Sequence, residues 1–145
     1  MANVGNMSNY CQSGVLTQIF RTGTFNKPDS IWIALLQNVW TNTDNGNTLK
    51  EIPNAGSYAR QELDALDANW AFSFVNNSGS IQNSSAITFP AATADWGWVS
   101  GIAIVTSGVY QTGQVLFGGL LTTPKLIGNG DQFKSNAADI VIYLD

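Results

Sequence analysis

Ten carboxylates and one thiol carry whatever bond-making chemistry this chain could do, because it contains no histidine. The commonest general base and metal ligand is therefore missing. Ser-His-Asp, Cys-His and His-bearing zinc sites are excluded. Cys11 is the single cysteine. It can build neither a thiolate cluster nor an intrachain disulfide, and it reads as a small apolar residue on a helix. Glu62, Asp64 and Asp67 lie close together. Paired acids hydrolyse glycosides only when held across a cleft, and this spacing within a polar segment describes a solvated face instead. Asp95 precedes Trp96, which is either an acid beside a sugar-binding platform or a loop cap beside a core ring. Asp44-Asn45-Gly46-Asn47 has the look of a calcium loop. Registered on Gly46, that pattern requires acidic or amide groups at Thr41, Thr43 and Asn45 and a glutamate at Ile52, and only Asn45 conforms. Gly128-Asn129-Gly130 has no strand-to-helix context and no following lysine to cradle phosphate, so it too is a turn. No catalytic residue, cofactor or metal ligand is expected, and the chain does not read as an enzyme.

The surrounding pattern is that of short strands. Residues 8–20, SNYCQSGVLTQIF, form the one helix candidate. Ser8 or Asn9 can cap it, and Gly23 lies just past its end. Val15, Leu16, Ile19 and Phe20 give it an apolar face expected to pack on a sheet. Beyond it the period is near two. IWIALL at 31–36 suits a strand buried on both faces. YARQEL at 58–63 is a strand or a short helical turn. Trp70, Phe72 and Phe74 share one face of a strand that ends at the turn 76–79. Further strands are expected around Ile81, at Ile87 and Phe89, over 97–106, 114–121, 125–127 and 131–135, and over 139–144. In the 97–106 strand, Trp98, Ile102 and Ile104 are in phase on one face. Gly118-Gly119 marks a bulge or a close approach. Residues 38–57 are rich in turn formers, too long for a passive connection, and read as a contact arm carrying Val39 and Trp40. Eight or nine strands point to an all-β, antiparallel, jelly-roll-like β-sandwich with one short N-terminal helix. It is a single domain over 1–145, with an N-terminal segment 1–23.

Composition narrows the partners. Only 11% of the 145 residues are charged, against about 25% in ordinary soluble proteins. Asn, Ser, Thr, Gln and Gly take the place of the missing charge. A polar but neutral surface docks with less desolvation cost than a charged one. Net charge is −4, and six Lys and Arg are scattered from Arg21 to Lys134. Nucleic acid and membrane are therefore not expected as partners. The segment MANVGNMSNYCQSG has neither the cationic start nor the apolar run of a secretion signal. Five tryptophans are present. Trp32, Trp70 and Trp98 are expected in the core, whereas Trp40 and Trp96 fall at loop edges, with Trp40 as an interface anchor.

Several segments together resemble a family of small tailed-bacteriophage virion proteins, of the capsid cement or tail-fibre-like kind. They are Ser8-Asn9-Tyr10 with the helix ending near Phe20-Arg21, IWIALL, Tyr58-Ala59-Arg60-Gln61, GSIQNSSAITFPAATADWGWVSGIAI at 79–104, GQVLFGGLLTTPKLIGNGDQFK at 113–134, and the closing IVIYLD. The resemblance implies a structural role in a virus particle assembled in the host cytoplasm. On the first reading the chain is a cement or decoration protein on the capsid surface, binding the major capsid protein and associating with itself as dimer or trimer. On the second it is a tail-fibre or receptor-binding component. The expected partner-binding residues are Trp40, Asn42, Asp44 and Asn45 of the long loop, and Trp96. The N-terminal segment and the 90–96 loop are the other expected contact elements.

Overall fold

The computed structural model describes residues 2, 3 and 6–144. Helix α1, Asn9–Phe20, starts where the sequence predicts. The Ser8 Oγ accepts the Cys11 N–H at 3.1 Å and donates to the Val115 carbonyl, anchoring the helix to the sheet as it caps it. The helix stops with Arg21 in extended backbone rather than on a left-handed glycine. Gly23 is needed for a different reason: a Cβ there would stand 2.1 Å from the Thr17 methyl. Of the expected apolar face only Val15 packs on the core. Cys11 is the buried helix residue, Val15 is half-buried, and Leu16, Ile19 and Phe20 are exposed. At 100° per residue, Leu16 and Phe20 lie about 140° and 180° around the helix from Cys11, so docking by Cys11 turns them to solvent.

The strands are β1 (Ala2–Asn3), β2 (Asn6–Met7), β3 (Trp32–Leu36), β4 (Gln61–Glu62), β5 (Trp70–Val75), β6 (Ser78–Asn83), β7 (Ile87–Thr88), β8 (Gly97–Val105), β9 (Val115–Ile127), β10 (Lys134–Ser135) and β11 (Ile140–Leu144). One sheet runs β4-β3-β8-β9-β1-β11-β6-β5, with β2 also on β9, and β7 pairs with β10 separately. All pairings are antiparallel except β1 with β11. The result is an all-β sandwich with one short helix, as expected. The sheet path folds over, so that Ile33, Leu35, Ile102, Ile104 and Leu116 share one core with Ile140 and Ile142. Tyr58, Phe89, Trp96 and Phe133 extend that core as an aromatic cluster with centroids 5.5–6.2 Å apart.

IWIALL is buried on both faces, as its unbroken apolar run predicts. Its second face has an unusual cover. Ala34, Leu36, Ala103, Val105 and Val115 point away from the main core into a second cluster, closed by Trp40 and Leu49. The 38–57 segment is therefore a lid on the sheet, not a free arm. Two antiparallel bridges, Leu36 to Glu51 and Asn45 to Gln114, tie it down. Gly118 lies beneath the Trp40 ring, and a Cβ there would come within 2.3 Å of it. That contact is the close approach the Gly-Gly pair implies.

The in-phase reading of β8 fails at one point. Its register with β9 shifts between Val99 and Gly101. Val99 and Ile102 consequently face the same core, while Trp98 is turned out and left 58% exposed. The β5–β6 hairpin closes through Asn76 and Asn77, both at positive φ, in the two-residue turn that suits the twist of paired strands.

Candidate interaction surface

The lid is held from below by a buried ion pair. Glu51 and Arg60 meet at 2.9 Å with side chains essentially out of solvent, and the guanidinium engages both carboxylate oxygens. The other arm of the fork, Arg60 Nη1, donates to the Ser107 and Thr112 carbonyls at 2.7 and 3.0 Å. Tyr58 donates to Glu51 Oε1 at 2.6 Å and accepts the Leu35 N–H at 3.0 Å. This network locks the lid, β3 and the 107–112 turn together. Burial pushes the Tyr58 hydroxyl well above its ordinary range, with the Glu51 charge and hydrogen bond adding to the effect. Burial also raises Tyr110, with the Glu51 charge second, and raises the Cys11 thiol.

The expected contact residues divide between inside and outside. Trp40 is 7% exposed and Trp96 3%. Trp96 donates its indole N–H to the Gly56 carbonyl at 2.8 Å and stands edge-on to Tyr58. Neither ring faces solvent, so an approaching partner meets the chain around them. Asn42 is exposed, and its carbonyl accepts the Asn9 N–H at 2.7 Å. Asp44 accepts the Thr41 N–H and the Thr48 hydroxyl at 2.7 and 2.8 Å. Asn45 Oδ1 accepts the Asn47 and Thr48 N–H groups. These two side chains shape the loop's own turns. Gly46 is fixed by contact, since a Cβ there would fall 1.8 Å from the Thr112 carbonyl oxygen.

The chemical candidates resolve in the same direction. Asp95 accepts the Asn129 N–H and Asp131 the Gly128 N–H, so both anchor the 128–131 turn. Among the described residues no three His, Cys, Asp or Glu side chains converge on a common point, and no helix is long and apolar enough to cross a membrane. What the fold does present is apolar surface. Leu16, Ile19 and Phe20 project from α1, Trp98 and Leu126 sit opposite each other on β8 and β9, and Phe72 and Phe74 stand on β5. The sequence reading missed two features. The Glu51–Arg60 pair has no fixed spacing to betray it, although a charge next to Ile52 in so neutral a chain is a usable cue. The outward Trp98 follows from a bulge that alternation cannot show.

Residues 6–143 match the family described as Podophage GP4 fiber I protein gp80. The chain belongs to this family. No curated protein matches it. The fiber I family places the chain among bacteriophage virion structural proteins, as the sequence resemblance implied, and its site of action is the virion. The sandwich is sparsely charged and carries apolar outer patches. Contacts made through such patches depend little on salt, because screened surface ion pairs would contribute little to them.

Proposed function

We propose that this chain is a fibre component of the podophage virion, acting by shape-matched adhesion rather than by chemistry. The family match over residues 6–143 carries the reading, and the neutral surface with its apolar patches supports it. Copies bind as rigid modules, and many weak identical contacts on one particle add through effective concentration. The face around the lid, with Asn42 exposed above buried Trp40, and the rim at Ala91, Thr93 and Asp95 above buried Trp96 are the loop surfaces offered to a partner. The test is immunogold labelling of purified particles. Label confined to tail appendages is expected. Label spread over the shell would instead support the cement reading, in which the chain binds the major capsid protein and stabilises its lattice by mass action.

A further inference from the structure

The main sheet ends in two contrasting edges. At one end is β4, two residues long, with the carboxylate-bearing Glu62 exposed. Short, charged edges of this kind resist pairing with other chains. At the other end is β5, WAFSFV, which is six residues long, with five of them exposed. No charged residue occurs from Ala68 to Ala94, and β5 holds no proline. Natural sheets protect such an edge with lysine, proline, a bulge or a covering segment, and this one carries none of the first three.

The hairpin fixes which backbone groups are free. The two-residue turn makes Val75 and Ser78 a hydrogen-bonded pair. The Ser84 N–H bonds the Asn69 carbonyl in the same register. Residues 69, 71, 73 and 75 therefore direct their backbone polar groups to β6, and Phe72 and Phe74 direct theirs to the open edge. The same two residues carry the exposed rings, 64% and 72% accessible and 5.2 Å apart edge to face. Beside them an apolar groove of about 330 Å³ runs into the sandwich between Leu66, Trp70, Phe72, Ile81 and Phe117.

We propose that β5 pairs antiparallel with β5 of a second copy about a two-fold axis at Ser73. This goes beyond the fibre assignment and stands independently of it. That register places Phe72 opposite the second copy's Phe74, and Phe74 opposite its Phe72. Both are hydrogen-bonded positions, so each pair exchanges both of its backbone bonds. The edge is thus self-complementary: its free donors and acceptors and its aromatic rings meet their like across the axis. Taking roughly 200 Å² for a whole phenylalanine, Phe72 and Phe74 leave about 270 Å² of aromatic surface per copy. Leu66 at 58% and Val75 at 39% exposure bring the apolar total to about 400 Å² per copy. That is the most apolar surface the pairing can cover, and with the paired backbone it places the contact at the small end of specific interfaces.

Sedimentation velocity on the purified full chain tests this. The wild type is expected to sediment as a dimer at micromolar concentration. Phe74→Lys sets like charges beside the axis and is expected to give a monomer with an unchanged far-UV circular dichroism spectrum. Phe74→Ser, which adds no charge, is expected to weaken the dimer at least tenfold. Ser73→Cys places two thiols at a non-hydrogen-bonded pair across the axis and is expected to form a covalent dimer on mild oxidation. The remaining thiol, Cys11, is buried and leaves this readout clean. A wild-type monomer at hundreds of micromolar, a ring larger than a dimer, or a dimer indifferent to Phe74→Lys and not bridged by Ser73→Cys would each overturn the proposal.

Discussion

Replacing Trp40 by alanine asks whether the 38–57 segment is a lid or an arm. The ring is 7% exposed and closes the cluster of Ala34, Leu36, Ala103, Val105 and Val115. Truncating a buried tryptophan to alanine costs about 3–5 kcal/mol, a large part of the roughly 5–15 kcal/mol that holds a domain together. For a chain of this size that loss lowers the melting temperature by about 8–16 °C. Val39→Ala is the control: Val39 is 58% exposed, and its loss should stay within about 0.5 kcal/mol. Gly118→Ala reaches the same contact from below, since its methyl would sit 2.3 Å from the indole, and overpacking of this kind costs about 1–3 kcal/mol. The two changes share one contact, so the cost of Gly118→Ala should largely vanish when Trp40 is already alanine. Thermal and urea denaturation followed by circular dichroism measure all four variants against the wild type. A Trp40→Ala loss below about 1 kcal/mol, or a Gly118→Ala penalty that persists in the Trp40→Ala background, would refute the lid and restore the arm. By the same reasoning, deleting residues 40–50 should unfold or aggregate the protein rather than trim it.

Four further outcomes follow from the network beneath the lid and from the helix cap. Glu51→Gln strips a buried guanidinium of its counter-charge and should cost about 3–5 kcal/mol in urea denaturation. Glu51→Leu combined with Arg60→Met should cost less than the two single changes together, because it leaves no lone buried charge. Tyr58 titrates above its unfolded value in the folded chain. Its support for the fold is therefore complete below about pH 10 and is lost as pH rises through the raised value, since the unfolded state sheds the proton first. Tyr58→Phe should be less stable at neutral pH but flatter across the alkaline range in pH-dependent melting. Ser8→Ala removes the acceptor for the Cys11 N–H and the donor to the Val115 carbonyl, and melting should report a loss of about 1–2 kcal/mol.

Much of the architecture is legible in local pattern. The alternation of Trp70, Phe72 and Phe74 marks β5, and the turn expected over 76–79 is there but tighter, with Ser78 and Gly79 already in β6; the unbroken run IWIALL specifies a strand covered on both sides. Ser8 before the helix specifies its cap. What the sequence hides is non-local. Tryptophans on loops invite an interface reading, yet Trp40 and Trp96 are drawn inward because a sheet face and an aromatic cluster await them far along the chain. Trp98 sits in a strand and alternates correctly with Ile102, but one register shift turns it outward. The helix face is a similar case: its apolar stripe is real, and docking by Cys11 leaves all of it but Val15 facing solvent. Of the expected contact residues, Asn42 is exposed, and the carboxylate and amide of Asp44 and Asn45 are occupied by their own turns.

The most direct test of the central claim, that this chain is a virion fibre module, is its copy number per purified particle by quantitative mass spectrometry against the major capsid protein. The fibre assignment predicts a few dozen copies or fewer, a number set by the tail. Hundreds of copies, in fixed ratio to the shell subunits, would contradict it and mark the chain as a coat of the capsid lattice.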